Sequence, residues 1–120
     1  MERMPSLLPY GLRLENRGGC VCAFISIAEV VALRGAVPMF VDIDPQTYTM
    51  CPFSLEQCIT HAKKAGLLTA KGIITVDLFG QPSDHDKIQA IADAHKLWVI
   101  VDAALSFGAT YKGKSTVSYG

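Results

Sequence analysis

Leu97-Trp98-Val99-Ile100-Val101-Asp102-Ala103-Ala104-Leu105-Ser106-Phe107-Gly108-Ala109 is the stretch on which the fold turns. Its apolar, mostly β-favouring residues end in one carboxylate, Asp102, and small residues follow at once. A short apolar run of this kind predicts a buried strand of a parallel sheet. In open α/β sheets the ligand crevice lies just beyond the carboxyl ends of the strands. Asp102 is therefore placed to face a bound molecule rather than bulk water.

Working outward, helical and strand patterns alternate. Upstream of the Trp98 strand, Asp84 is a helix cap, and Ile88, Ile91, Ala92 and His95 share one side at helical spacing. Ile73, Ile74 and Val76 read as the preceding strand. Before it, Ser54 starts a helix with Leu55, Cys58, Ile59 and Ala62 on one face, ending at Gly66. Pro38 to Ile43 is a short strand broken by the Asp44-Pro45 turn, in which Asp42 and Asp44 are turn formers. Ser26 and Glu29 have the spacing of a capping box at the head of a further helix, which Gly35 stops. Three strands alternating with helices predict βαβ units in a parallel sheet with right-handed crossovers. Residues 1–22, with two prolines and three glycines, show no sustained period and read as irregular; the patterned body is residues 23–120.

Composition removes several classes of function. Half of the 120 residues are hydrophobic and 18% are charged, which excludes a disordered or collagen-like chain. Eleven basic residues balance eleven acidic ones without a basic patch, so the sequence gives no footing for nucleic acid. No run approaches the roughly 20 apolar residues of a membrane span. Cys20, Cys22, Cys51 and Cys58 have neither zinc nor Cys-x-x-Cys redox spacing, and read as reduced thiols of a cytoplasmic protein. His61, His85 and His95 share no face; the first two read as solvated, and His95 as sitting near a helix C-terminus. No metal site is expected. A small sheet with two open edges also points to a piece of a larger domain or to a chain that needs a partner.

Four segments in order carry a resemblance. They are Gly35-Ala36-Val37-Pro38-Met39-Phe40-Val41-Asp42-Ile43-Asp44-Pro45-Gln46-Thr47-Tyr48, Val76-Asp77-Leu78-Phe79-Gly80-Gln81-Pro82-Ser83-Asp84, Val101-Asp102-Ala103-Ala104, and Ser106-Phe107-Gly108-Ala109-Thr110-Tyr111-Lys112-Gly113. In this register they closely resemble the DegT/DnrJ/EryC1/StrS nucleotide-sugar aminotransferases. The resemblance implies a partial three-layer α/β domain of the aspartate-aminotransferase kind (PLP fold type I) and pyridoxal 5'-phosphate as cofactor. It implies that Asp102 bonds the pyridine nitrogen and keeps it protonated, so that the ring accepts the electrons released at the substrate Cα–H. The alternative is that Asp102 caps the short helix after it. Phe24 matches the aromatic that stacks on the cofactor ring, or else is an ordinary core residue. Asp77, at another strand end, either approaches the active-site mouth or caps the local turn with Gly80 and Pro82.

Departures from the family's pattern matter as much. Leu105 stands where glutamine is common, removing hydrogen bonds worth about 1 kcal/mol each at a polar cofactor edge. Nothing before Phe24 resembles the family's phosphate-binding segment. Lys112 and Lys114 fall too early for the Schiff-base lysine, so no catalytic residue is assigned. A complete member, a homodimer by resemblance, would pass an amine from an amino-acid donor to a keto-sugar nucleotide. This chain reads as truncated, inactive alone and a weak cofactor binder at most. The alternative is a non-catalytic α/β fragment or a partner-dependent interaction module. A phospho-acceptor receiver-like module ranks last, lacking a usable acidic pair and strand-end lysine.

Overall fold

The computed structural model describes the backbone of residues 7–8, 12–13, 18–22, 25–66 and 69–119, and the side chains of 27–66 and 69–119. In chain order the elements are β1 (Leu7–Leu8), β2 (Leu12–Arg13), β3 (Gly18–Cys22), α1 (Ile25–Leu33), β4 (Val37–Phe40), α2 (Pro52–Ala65), β5 (Thr69–Val76), α3 (His85–His95), β6 (Trp98–Asp102), β7 (Thr110–Tyr111) and β8 (Lys114–Ser115). Single 3-10 turns cover Leu78–Gly80 and Thr116–Ser118.

The central sheet has the order β4-β3-β5-β6, and every neighbouring pair in it is parallel. Cys20 pairs with Pro38 on one side and with Gly72 on the other, while Val76 pairs with Asp102. This corrects the reading of residues 1–22 as irregular, because Gly18–Cys22 is an inner strand. Two glycines in a five-residue segment hide any hydrophobic period, yet flanking strands satisfy its backbone on both sides. β1 and β2 pair separately as an antiparallel ribbon.

Helices cover both faces of the sheet. On one, Val31 of α1 and Ala36 pack with Ile27, Ile74 and Trp98. On the other, Leu55 and Ile59 of α2 join Ile88 and Ala92 of α3 around Ile73, with Val41, Met50 and Leu97. Adjacent Ile73 and Ile74 thus serve opposite faces, as the pleat requires. Full burial of side chains such as Leu55, Ile73 and Ile88 stabilises the fold by about 1.5–3 kcal/mol each.

Local chemistry sets the helix ends. α2 begins at Pro52, two residues before the expected Ser54, since proline is favoured in the first turn where its missing N–H goes unused. It stops at Gly66, whose φ of 65° suits a residue without Cβ. At α3 the Asp84 carboxylate accepts a bond from the Lys87 amide at 3.4 Å, in keeping with its expected capping role. In α1, Ser26 lies inside the helix rather than ahead of it, so the Ser26–Glu29 capping box is not formed as read.

β6 also differs from expectation. It is an edge strand of the described sheet, paired only with β5, and all five of its residues are half-buried rather than buried. Trp98, the single tryptophan, lies over Gly72, where an added Cβ would come within 2.0 Å of the indole. We expect Gly72→Ala to cost about 1–3 kcal/mol through overpacking. Denaturant unfolding followed by Trp98 fluorescence measures this; an unchanged midpoint would show that the indole swings aside freely.

This topology positions a site. From β3 the chain leaves toward β4 across one face, and from β5 it leaves toward β6 across the other. Neighbouring strands with diverging exits form a switch point, and the crevice lies beyond their carboxyl ends. Asp77 follows β5, at the switch point, and Asp102 ends the neighbouring β6.

Candidate functional site at the carboxyl ends of the strands

Asp102 is the last residue of β6. Its main-chain carbonyl accepts the Asp77 N–H at 3.1 Å, which ties the ends of β5 and β6 together. Its Oδ1 accepts the Ala104 N–H at 3.1 Å, so it shapes a turn; the short helix it was expected to cap in the alternative reading is not formed, residues 104–108 being turn. Among the described residues its Oδ2 accepts no hydrogen bond, and the side chain is half-exposed. The carboxylate is thus oriented by its own loop with one oxygen still available to a donor from outside.

Asp77 occupies a different environment. It is 0% exposed, and both oxygens are engaged by the protein. The Ser83 N–H donates to Oδ1 at 2.9 Å and the Ser106 hydroxyl donates to Oδ2 at 2.8 Å. His85 Nε2 lies 3.4 Å from Oδ1 without the alignment of a hydrogen bond. Burial pushes the Asp77 carboxyl up, but His85, the Ser83 amide and Ser106 together outweigh it and hold the pKa below the ordinary aspartate value. The residue joins three segments of chain and presents no free oxygen to the crevice.

His85, expected on a solvated position, is 3% exposed. It is the first residue of α3 and turns inward beside Asp77, where Tyr111 of β7 and Tyr119, after the second 3-10 turn, cover it. Its ring stacks on Tyr119 with centroids 4.9 Å apart and meets Tyr111 edge-on at 5.1 Å. The Tyr111 hydroxyl donates to Asp84 at 3.2 Å, and Lys112 pairs with Asp86, so the β7–β8 hairpin is fastened to the head of α3. His95 bonds Glu56 at 2.8 Å between α3 and α2, and His61 is exposed on α2.

Leu105 is 60% exposed on the loop after β6, three residues from Asp102. Its carbonyl oxygen would lie 3.1 Å from a Cβ at Gly80, whose φ is +78°, so glycine permits this close approach of the two loops. Beside Gly80, Phe79 has a φ of 57° and is largely exposed, with the Tyr48 ring edge-on to it at 6.2 Å. Phe24 lies outside the described residues. Sequence reasoning missed Ser83, Ser106 and Thr116, all buried polar residues. The one available signal was hydroxyl residues near a strand-end aspartate in otherwise apolar or turn-forming surroundings.

A parallel sheet with helices on both faces and carboxylates beyond its strand ends is an α/β domain, and its likeness to solved aminotransferases makes it one of the PLP fold type I kind. The chain belongs to the DegT/DnrJ/EryC1/StrS aminotransferase family, whose sequence model matches residues 20–120. It is 52% identical over 91 residues to the UDP-2-acetamido-2-deoxy-3-oxo-D-glucuronate aminotransferase of Pseudomonas aeruginosa, covering 76% of this chain and 23% of that protein. With EpsN of Bacillus subtilis, whose name describes a pyridoxal phosphate-dependent aminotransferase, it shares 40% identity over 97 residues, 81% of this chain and 25% of the other. A DegT DnrJ EryC1 StrS aminotransferase from Brucella abortus superposes with a TM-score of 0.75 at 44% identity, over 78% of this chain and 26% of that one. The chain therefore spans about a quarter of the length of these relatives.

The donor set fits one part of the cofactor. A half-exposed carboxylate with one oxygen fixed by the Ala104 amide and the other available suits the protonated nitrogen of a pyridine ring. The Leu105 side chain, exposed three residues further on, carries no hydrogen-bonding group. No helix among the described residues is long and apolar enough to cross a membrane.

Proposed function

We propose that this chain supplies the nitrogen-partner part of a pyridoxal-phosphate site, for transfer of an amine from an amino-acid donor to a keto-sugar nucleotide. The observation that carries the reading is Asp102, held at the end of β6 by its own loop with Oδ2 available. When bound, the cofactor supplies an electron sink for bond breaking at the donor Cα. The chain's part is to hold a proton at the ring nitrogen. Asp102 accepts that N–H, and its negative charge favours the protonated ring by charge-assisted hydrogen bonding. Leu105 shapes the neighbouring wall. Phe24, from the sequence pattern, is the proposed stacking partner, and the family's homodimeric arrangement is proposed for the assembly.

Catalysis by these 120 residues alone is not part of the proposal. Lys112 is paired with Asp86 and Lys87 with Asp84, so neither is offered as the amine that holds the cofactor aldehyde. The chain alone is expected to show no transamination above background with glutamate as donor; sustained turnover would overturn this.

The decisive test grafts the 91-residue aligned stretch into the Pseudomonas relative in place of its own. A chimera that binds pyridoxal phosphate and aminates that enzyme's keto-sugar nucleotide supports the reading. A folded, cofactor-loaded chimera indifferent to Asp102→Ala rejects it. In the same chimera, Leu105→Gln is expected to tighten cofactor binding about 5- to 10-fold, the effect of one added net hydrogen bond. Equilibrium dialysis measures it, and unchanged or weaker binding would show that the leucine wall is the better fit.

A further inference from the structure

We propose that Asp77 is a positioning residue for Asp102, gripping both ends of the loop that carries it. This rests on the assignment of Asp102 to the cofactor nitrogen, but the grip itself is independent of any ligand. At the near end the Asp77 N–H donates to the Asp102 carbonyl at 3.1 Å. At the far end Asp77 Oδ2 accepts the Ser106 hydroxyl at 2.8 Å. Between these points the segment 102–106 closes on itself: the Ser106 N–H donates to the Ala103 carbonyl at 3.1 Å, and the Ala104 N–H holds Asp102 Oδ1 at 3.1 Å. One buried residue thus fixes the beginning and the end of the turn whose middle aims the Asp102 carboxylate.

Proton counting makes the grip directional. A hydroxyl carries one proton. The Thr116 hydroxyl donates to the Ser106 carbonyl at 3.0 Å, which uses its proton. Ser106 Oγ has three acceptors in range, Asp77 Oδ2 at 2.8 Å, Thr116 Oγ1 at 3.2 Å and the Ala103 carbonyl at 3.4 Å. The shortest is also the only charged one, and charge-assisted bonds are both shorter and stronger than neutral ones. The proton therefore goes to Asp77. Thr116 bonds Ser106 and makes no hydrogen bond to Asp77 among the described residues, and it gives an internal control, since it too is fully buried.

The remaining contacts of Asp77 keep it in place. Its Oδ1 takes the Ser83 amide, and His85 stands 3.4 Å away, stacked on Tyr119. The head of α3 and, through the His85 ring, Tyr119 are thereby connected by Asp77 to the Asp102 loop. Sites hold reacting groups to within fractions of an ångström through such supporting contacts. Losing the grip is expected to leave the fold standing while loosening the direction of one carboxylate.

The test uses the 120-residue chain without cofactor and reads Asp102 itself. Amide exchange of Ala104 and the side-chain carboxyl carbon shift of Asp102 are followed by NMR in Asp77→Asn, Ser106→Ala and Thr116→Ala. Asp77→Asn and Ser106→Ala are expected to speed Ala104 exchange at least tenfold and to move the Asp102 carboxyl signal. Thr116→Ala is expected to lower thermal stability comparably and to leave both Asp102 signals in place. If Asp77→Asn does not fold, Ser106→Ala decides, because it leaves the carboxylate its Ser83 and His85 neighbours. Unmoved Asp102 signals, or equal movement in Thr116→Ala, overturn the proposal. A positive result beside a chimera indifferent to Asp102→Ala would reject the cofactor assignment and leave the positioning intact.

Discussion

Asp102→Ala in a cofactor-loaded chimera with the Pseudomonas relative is expected to lower kcat by about 10²–10³, the loss typical when one preorganised electrostatic partner is removed from a reacting centre. Cofactor affinity should fall by a smaller factor, because a ring has other points of attachment in a complete site. Asp102→Asn separates charge from shape. The amide fills the same volume but cannot hold a positive charge on the nitrogen, so it should resemble alanine in kcat and wild type in thermal stability. Steady-state kinetics beside a melting curve give both numbers. Stability lost in Asp102→Ala but kept in Asp102→Asn, with kcat unchanged in both, would mean that the Ala104 bond, which shapes the turn, is the residue's main contribution.

Asp77→Ala is expected to have the largest effect on stability, about 3–5 kcal/mol, the cost of removing one partner from a buried charged network. Asp77 is wholly buried, and its loss strands the Ser83 amide, removes the charge beside the His85 ring and leaves the Ser106 hydroxyl only its longer, neutral acceptors. Each buried donor without an acceptor costs about 1–3 kcal/mol. A small domain has only about 5–15 kcal/mol in total, so this variant sits near the edge of folding. The carboxyl is held below its ordinary value in the folded state. Its contribution is therefore present above the unfolded-state value of about 3.9 and is lost as pH falls through the lower folded-state value. Urea midpoints measured between about pH 2 and 5 should fall steeply in the wild type and less steeply in Asp77→Asn. Parallel pH profiles would show that Asp77 is not the group responsible. By contrast, Lys112→Ala breaks an exposed pair with Asp86 and should change the midpoint little.

The fold was legible where hydrophobic period and turn chemistry coincide. Gly66 ends α2 and Asp84 heads α3 as the residue types require. The inner strand Gly18–Cys22 was not legible, because its place depends on two distant strands rather than on its own composition. The edge position of β6 was hidden for the same reason: apolar content reports that a strand is covered, not how many neighbours it has. At the site, Asp102 stood out as a carboxylate closing an apolar run. The burial of His85 did not, since a polar residue opening a helix is usually solvated, and only the packing of Tyr111 and Tyr119 reveals otherwise. Asp77 was visible as a residue and ambiguous as a role. What decides its role is the direction of a single hydroxyl proton on Ser106.

The strand order β4-β3-β5-β6 also bears on how the chain reaches its folded form. β3 and β4 are joined by one short helix, and β5 and β6 by another, so each pair closes a modest loop. The seam between the pairs, where Cys20 meets Gly72, joins positions far apart in sequence. Closing a longer loop carries a larger entropic cost, and parallel pairings of this kind are slow to form. The seam runs along the two strands whose ends open the crevice. Asp77 and Asp102 both belong to the β5–β6 half, so their contacts can form before the seam closes, whereas the β3 side of the crevice is added only when the two halves meet.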